Sequence, residues 1–236
     1  MKINDNLEII DLALYLKKEK ALIISDMHIG YEESLNKQGI LIPKFQFKET
    51  LERLTKIFSK VNPKIIILNG DFKHEFGTIS DSEWKDTLKI LDFLISKCEE
   101  LILIKGNHDT ILEPIARRRN LIVKPYHKIN DYYICHGEEI SSNLDFTYSK
   151  TIVIGHEHPA VSIKSNTRSE LYKCFLVGKF KNKTLIVIPS FNLVTEGTDV
   201  LRERLLSPFL QEDLDDFEVY VVSDKIYKFG KLKNLR

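Results

Sequence analysis

Carboxylate and imidazole donors recur in five short blocks: Asp26-Met27-His28, Gly70-Asp71, Gly106-Asn107-His108-Asp109, His136-Gly137 and Gly155-His156-Glu157-His158. Ligands of this kind suit hard or borderline divalent ions, and a pair of ions roughly 3.5–4 Å apart, sharing a bridging carboxylate, is a device for hydrolysing phosphate esters. Asp71 is the natural bridge, as the sole acidic residue of its block and the neighbour of a glycine that lets the backbone turn sharply. Asp26 and His28 stand two residues apart, as do His156 and His158. On an extended backbone each pair points to one side and can grip one ion. Asn107 offers a neutral carbonyl oxygen and His136 a further imidazole. Seven protein groups for two ions leave positions for water and phosphate oxygens.

Taken singly, an Asp-x-His pair is commonplace in loops, Asn-His-Asp suits turns, and a Gly-His-x-His can be surface decoration. Their conjunction carries the reading. Five of the seven histidines fall in these blocks, and each block follows an apolar, β-branched run such as Ala21-Leu22-Ile23-Ile24 or Ile65-Ile66-Ile67-Leu68. The donors therefore lie past the carboxyl ends of buried strands, where open α/β sheets bind ligands.

Between those strands the sequence predicts two crossover helices. After Pro43, residues Phe47, Leu51, Leu54, Phe58 and Val61 recur at helical spacing, with the proline near the first turn. Ser80-Asp81-Ser82-Glu83 reads as a capping box ahead of Trp84, Leu88, Leu91, Leu94 and Ile95. From about residue 121 strand follows strand: 126–130, 132–136, 151–154, 171–180, 184–189, 217–223 and 226–229, with hairpin tips at Asn182-Lys183 and Ser223-Asp224-Lys225. No repeat or linker divides residues 1–236, so a single domain is expected.

The chain is 43% hydrophobic and 29% charged, with a net charge of +1, which is a globular profile without the footprint of a strongly basic nucleic-acid binder. Three widely spaced cysteines in apolar surroundings fit reduced thiols and a cytoplasmic protein. No run approaches a membrane span or a signal peptide, so no membrane partner is expected.

The blocks resemble those of the calcineurin-like metallophosphoesterase superfamily. Ser25-Asp26-Met27-His28-Ile29-Gly30-Tyr31-Glu32, Gly39 and Ile42-Pro43 look like the opening of archaeal SbcD-related phosphoesterases, a group that includes the ligase-associated endonucleases called PdeM. Gly70-Asp71-x-x-His74, His156-Glu157-His158-Pro159, Lys173-Cys174-Phe175 and Ile188-Pro189-Ser190-Phe191 continue the likeness through most of the chain. The resemblance implies an α/β fold, a four-layer αββα sandwich of two mixed sheets flanked by helices. It also implies a ligand partition, with Asp26, His28, Asp71 and His158 on one ion and Asp71, Asn107, His136 and His156 on the other.

By the same resemblance a metal-bridging hydroxide attacks phosphorus. His108 acts at the leaving oxygen as general acid or hydrogen-bond donor, with Asp109 orienting its ring, and His74, together with Asn107 and His108, contacts the substrate phosphate. Manganese is the expected metal, with iron, zinc and nickel as alternatives. Three functions follow: a phosphodiesterase or nuclease acting on single-stranded or damaged DNA in repair; an enzyme for small phosphodiesters or phosphomonoesters; and a non-catalytic binding module like the metallophosphoesterase-like retromer subunit, which the intact ligand set disfavours.

Residues 112–128 carry Arg117, Arg118, Arg119, Lys124 and Lys128 against Glu113, and residues 164–183 carry Lys164, Arg168, Lys173, Lys179, Lys181 and Lys183 against Glu170. Either stretch could follow a phosphate backbone or be a solvated edge. Against them stands the acidic run Glu212, Asp213, Asp215, Asp216 and Glu218.

Overall fold

A computed structural model describes residues 1–74, 81–165 and 168–236, apart from the side chains of residues 81, 82 and 165. In chain order the elements are β1 (Leu7–Ile10), β2 (Ala13–Leu16), β3 (Ala21–Ser25), α1 (Tyr31–Lys37), α2 (Gln46–Phe58), β4 (Ile65–Asn69), α3 (Asp81–Ile95), β5 (Glu100–Ile104), α4 (Leu112–Arg117) and β6 (Val123–Lys124). There follow β7 (Tyr126–Ile129), β8 (Tyr132–Cys135), α5 (Leu144–Tyr148), β9 (Thr151–Ile154), β10 (Pro159–Ser165), β11 (Arg168–Phe180), β12 (Lys183–Val187), β13 (Thr198–Asp199), β14 (Glu218–Val222) and β15 (Ile226–Lys231).

Two mixed sheets result. The first runs β1-β2-β3-β4-β5-β6, with β3 through β6 parallel and the β1–β2 hairpin antiparallel at the edge. The second runs β13-β10-β11-β12-β9-β8-β7, and β14 and β15 extend it from β11. Period-two alternation explains how the sheets pack. Ile134, Val153, Phe175, Ile186 and Tyr220 of the second sheet share one core with the strands of the first. Their neighbours Tyr133, Ile152, Cys174, Leu185 and Val219 face the other way, against Phe146 of α5 and Phe209 of a 3-10 turn at Pro208–Leu210.

Every residue of β3 is buried, because its outer face is covered by helices. Leu54 and Ile57 of α2, Leu91 and Leu94 of α3, and Leu112 and Ile115 of α4 complete that core. The expected αββα sandwich is therefore the observed architecture, with a thin outer layer over the second sheet. Among the described residues no helix is long and apolar enough to cross a membrane.

Some local expectations shift. The helix after Pro43 starts at Gln46, so the proline precedes it rather than occupying its first turn. In place of a proline, the buried Glu32 carboxylate of α1 accepts the backbone N–H groups of Phe45 and Gln46 at 2.9 and 3.0 Å and satisfies that helix end. The β11–β12 hairpin pairs Phe180 with Lys183, which puts its tip at Lys181-Asn182, one residue earlier than expected, with Lys181 left-handed at φ 54°. Ser223-Asp224-Lys225 does form the β14–β15 tip. The Ser80 capping box lies outside the described residues.

Candidate dimetal site

All five blocks follow strand ends: β3, β4, β5, β8 and β9, in that order. Their loops keep pairing after the strands stop. The Asp26, His28 and Ile29 N–H groups donate to the carbonyls of Gly70, Asp71 and Phe72 at 3.2, 2.9 and 3.0 Å, and Gly155 N–H donates to His136 O at 2.8 Å. The two sheets are joined at the same level, where the Phe191 and Asn192 N–H groups donate to the carbonyls of Ser25 and Asp26. Donor side chains thus sit on loops held by backbone hydrogen bonds on both sides.

Two glycines explain how closely the blocks approach. A Cβ at Gly106 would stand 2.2 Å from Asp71 Oδ1, and one at Gly155 would stand 1.8 Å from Ser25 Oγ and 2.3 Å from Asp26 Oδ2. Only glycine leaves room for the carboxylates of the neighbouring blocks.

Donor atoms converge in two groups. In the first, His158 Nε2 is 3.2 Å from His28 Nε2 and 3.3 Å from Asp26 Oδ1, while His28 Nε2 is 3.6 Å from Asp71 Oδ2. In the second, His136 Nε2 is 3.0 Å from Asn107 Oδ1, 3.1 Å from His156 Nδ1 and 3.4 Å from the same Asp71 Oδ2. Ligand bonds of about 2.0–2.2 Å meeting at 90–109° give donor separations of roughly 2.9–3.5 Å. Nearly all the observed spacings fall in that range, so the residues fit two divalent ions with Asp71 shared between them. The structure thus brings together the donors that the resemblance assigns to each ion.

The Asp26-x-His28 and His156-x-His158 pairs reach this arrangement by a different route from the extended one expected. Asp26, His28, Asp71, His156 and His158 all have left-handed backbones, with φ of 53°, 44°, 44°, 62° and 51°. Each lies beyond its strand, where the chain must reverse while its side chain still faces the site.

Electrostatics follow from burial and crowding. Burial opposes ionisation of Asp71, yet the hydrogen bond and charge of His136, with help from His28 and the His108 N–H, hold its carboxyl well below the usual range. Burial likewise opposes a charge on His136, but Asp71 and Asp26 raise it to about 10. His156 moves the other way, to about 4, through burial and the His136 charge. Without ions, the charge on His136 offsets part of that on Asp71 and Asp26.

Asp109 is placed differently from its expected role. Its buried carboxylate accepts the backbone N–H groups of Gly106 at 3.0 Å, Phe72 at 3.1 Å and Lys73 at 3.3 Å. Among the described residues it is the His74 carbonyl oxygen, 2.7 Å away, that meets His108 Nδ1. A carbonyl only accepts, so Nδ1 carries the proton and Nε2 points toward the site, 4.0 Å from Asp71 Oδ2. Asp109 instead ties the second and third blocks together. Burial, then the Asp71 charge, push its carboxyl up to about 7.

His74 stands beside the ligands, its Nδ1 3.4 Å from His28 Nδ1 and its ring 4.1 Å from that of Tyr31. His28, His74 and His108 form a third cluster of possible donors.

Several positioning residues went unassigned in the sequence. Buried Gln46 donates to the carbonyls of Met27 and His28, and buried Lys73 Nζ to His108 O at 2.7 Å. Lys173, lowered to about 8 by burial, donates to Ser190 Oγ at 3.2 Å, which joins two of the resemblance motifs. Glu157, between the two histidines of its block, accepts the Leu206 and Ser207 N–H groups at 2.8 Å. Lys73 and Glu157 lie close to donor residues in the sequence and Lys173 belongs to a resemblance motif, whereas Gln46 carries no such signal.

The basic stretches do not form one surface. Lys164 and Arg168 lie at one end of the β10–β11 hairpin and Lys179, Lys181 and Lys183 at the far end of β11, with Lys183 bound to the carbonyls of Thr147 and Ser149. In the other stretch Arg117, Arg119 and Lys128 pair with Glu113, Asp92 and Asp145. The acidic run is offset as well: Asp216 meets Lys231 and Lys233, and Glu218 meets Lys228.

Among solved structures the chain is similar to nuclease MPE from Pseudomonas putida, 17% identical with 94% of each chain covered and a TM-score of 0.67. It is also similar to Yfce, a phosphoesterase from E. coli, 14% identical over 90% of this chain and 97% of that one, with a TM-score of 0.43. No curated protein matches the sequence. The model of the calcineurin-like phosphoesterase family matches residues 20–219, which include all five donor blocks, and the chain belongs to that family.

Proposed function

We propose that this protein is a dinuclear-metal phosphodiesterase that cleaves nucleic acid, with single-stranded or damaged DNA as its substrate and repair as its setting, in the manner of the SbcD-related and PdeM-like enzymes. The observation that carries the reading is the pair of donor groups meeting at Asp71 Oδ2. Asp26, His28, Asp71 and His158 would hold one ion and Asp71, Asn107, His136 and His156 the other. Manganese is our choice among the metals this donor set accepts. When bound, the ions supply charge neutralisation at phosphate oxygens and acidify water enough to serve as a nucleophile near neutral pH.

The protein's own contribution lies at His108. With Nδ1 donating to the His74 carbonyl, His108 would give a proton to the leaving oxygen from Nε2, which requires the imidazolium form. His74, whose ring lies beside His28, would contact a phosphate oxygen. Buried free Cys135 and Cys174 support a reducing, cytoplasmic setting.

A second reading, a small phosphodiester or monoester as substrate, is favoured by the division of the basic residues between opposite ends of β11. Hydrolysis by manganese-loaded protein separates the two. The substrates are bis(para-nitrophenyl) phosphate, para-nitrophenyl phosphate and end-labelled single-stranded DNA, with Asp71→Asn as the blank. Diester and DNA turnover that vanish in Asp71→Asn support the nuclease. Turnover confined to a small ester selects the second reading, and none with any tested metal refutes both.

A further inference from the structure

A cleft of about 530 Å³ opens beside Asn107, between β6–β7 and the loop that follows His136. Its volume lies in the range of small-molecule sites and is ample for one nucleoside. Tyr126 forms one wall, held by stacking on Tyr133 at 4.7 Å and 19° and by its hydroxyl, which donates to Asp145 at 3.0 Å. The ring is thus fixed before any ligand arrives, which lowers the ordering cost of stacking on it.

The charges around the cleft exclude a run of phosphates. Glu113, Glu138 and Glu139 outnumber Lys105 and Lys124, so the lining is net negative. Glu113 is paired with Arg117, whereas no ion pair forms between the other two glutamates and the two lysines among the described residues. Free carboxylates accept from amino and imino groups, and free ammonium groups donate to carbonyl oxygens. A guanine edge offers both, two adjacent N–H donors next to a carbonyl oxygen.

We propose that this cleft is a base-recognition subsite that takes the nucleoside adjoining the scissile phosphate and prefers guanine. The proposal rests on the phosphodiesterase reading for the position of the phosphate, since Asn107 belongs to both the donor cluster and the cleft. One base enters the cleft, Tyr126 stacks with it, and Glu138 or Glu139 with Lys105 or Lys124 reads its edge.

Guanosine has no phosphate for metal ions to hold, so it tests the cleft independently of catalysis. Titrated into the metal-free full chain and followed by saturation-transfer NMR, it is expected to bind. Binding should weaken roughly tenfold or more in Tyr126→Ala and in the paired variant Glu138→Gln, Glu139→Gln. In manganese-loaded protein the paired variant should raise KM for a guanosine dinucleotide more than for a thymidine dinucleotide. Both glutamates are exposed, so this variant decides the matter even if Tyr126→Ala does not fold. Absence of guanosine binding up to its solubility limit, or binding that neither variant weakens, overturns the subsite. If wild-type protein binds guanosine but cleaves no diester, the phosphodiesterase reading fails and the cleft stands.

Discussion

At the scale of single residues the centre holds a charged imidazole that must lose its proton to accept metal. His136 stays protonated up to about pH 10 because Asp71 and Asp26 outweigh the cost of burying its charge. A metal ligand must be the neutral imidazole, so near neutral pH each ion entering the second donor group expels a proton. Apparent metal affinity should therefore rise with pH until His136 loses its proton unaided, near pH 10. Isothermal titration of the metal-free protein in buffers of different ionisation enthalpy should report release approaching one proton per ion at that group. Heats independent of buffer would contradict it. The identity of these donors was legible in sequence because their chemistry is local to each block. The partner of His108 was not, since the His74 carbonyl and the Asp109 side chain compete for that role and only the path of the chain decides between them.

At the scale of elements the strands and the loops after them do the positioning, and glycine sets their spacing. Gly155→Ala would force its new methyl into Ser25 Oγ and Asp26 Oδ2 and push the first and fifth blocks apart. A displacement near 1 Å at a catalytic centre costs on the order of a hundredfold in rate. We expect at least that loss of diester turnover, with weaker metal binding by calorimetry; full activity in Gly155→Ala would show the site tolerates the shift. Strands β3, β4, β5, β8 and β9 were readable because continuous apolar runs mark strands buried on both faces. The β1–β2 hairpin, β10 and the short helix α1 were not. Their residues alternate weakly or span too few positions for a period to appear, and tertiary pairing rather than local preference makes them regular.

At the scale of the whole molecule, proximity in sequence and proximity in space part company. Lysines that crowd residues 164–183 are separated by the length of β11, roughly 40 Å for a strand of 13 residues. A continuous cationic track is therefore missing among the described residues, and few counterions would be released when a strand binds. We predict a shallow salt dependence for single-stranded DNA, with log K falling against log salt with a slope of about −2 or less in magnitude. Filter binding across a salt series measures it, and a slope of about −5 would reveal a basic surface that the fold does not suggest. Composition anticipated a globular protein and the alternation of apolar runs with helical patterns an α/β one, but the way β11 divides its charges between two ends is a property of register alone.

The left-handed backbones of Asp26, His28, Asp71, His156 and His158 carry a cost in stability. Such conformations cost non-glycine residues on the order of 1 kcal/mol each, and glycine or asparagine would occupy them more comfortably. Asp11, Lys20, Asn120, Asn130 and Lys181 adopt the same backbone away from the site, so the conformation alone marks nothing. At the site it sets main-chain comfort against side-chain placement: glycine at any of the five would relax the backbone and at the same time remove a donor from the centre.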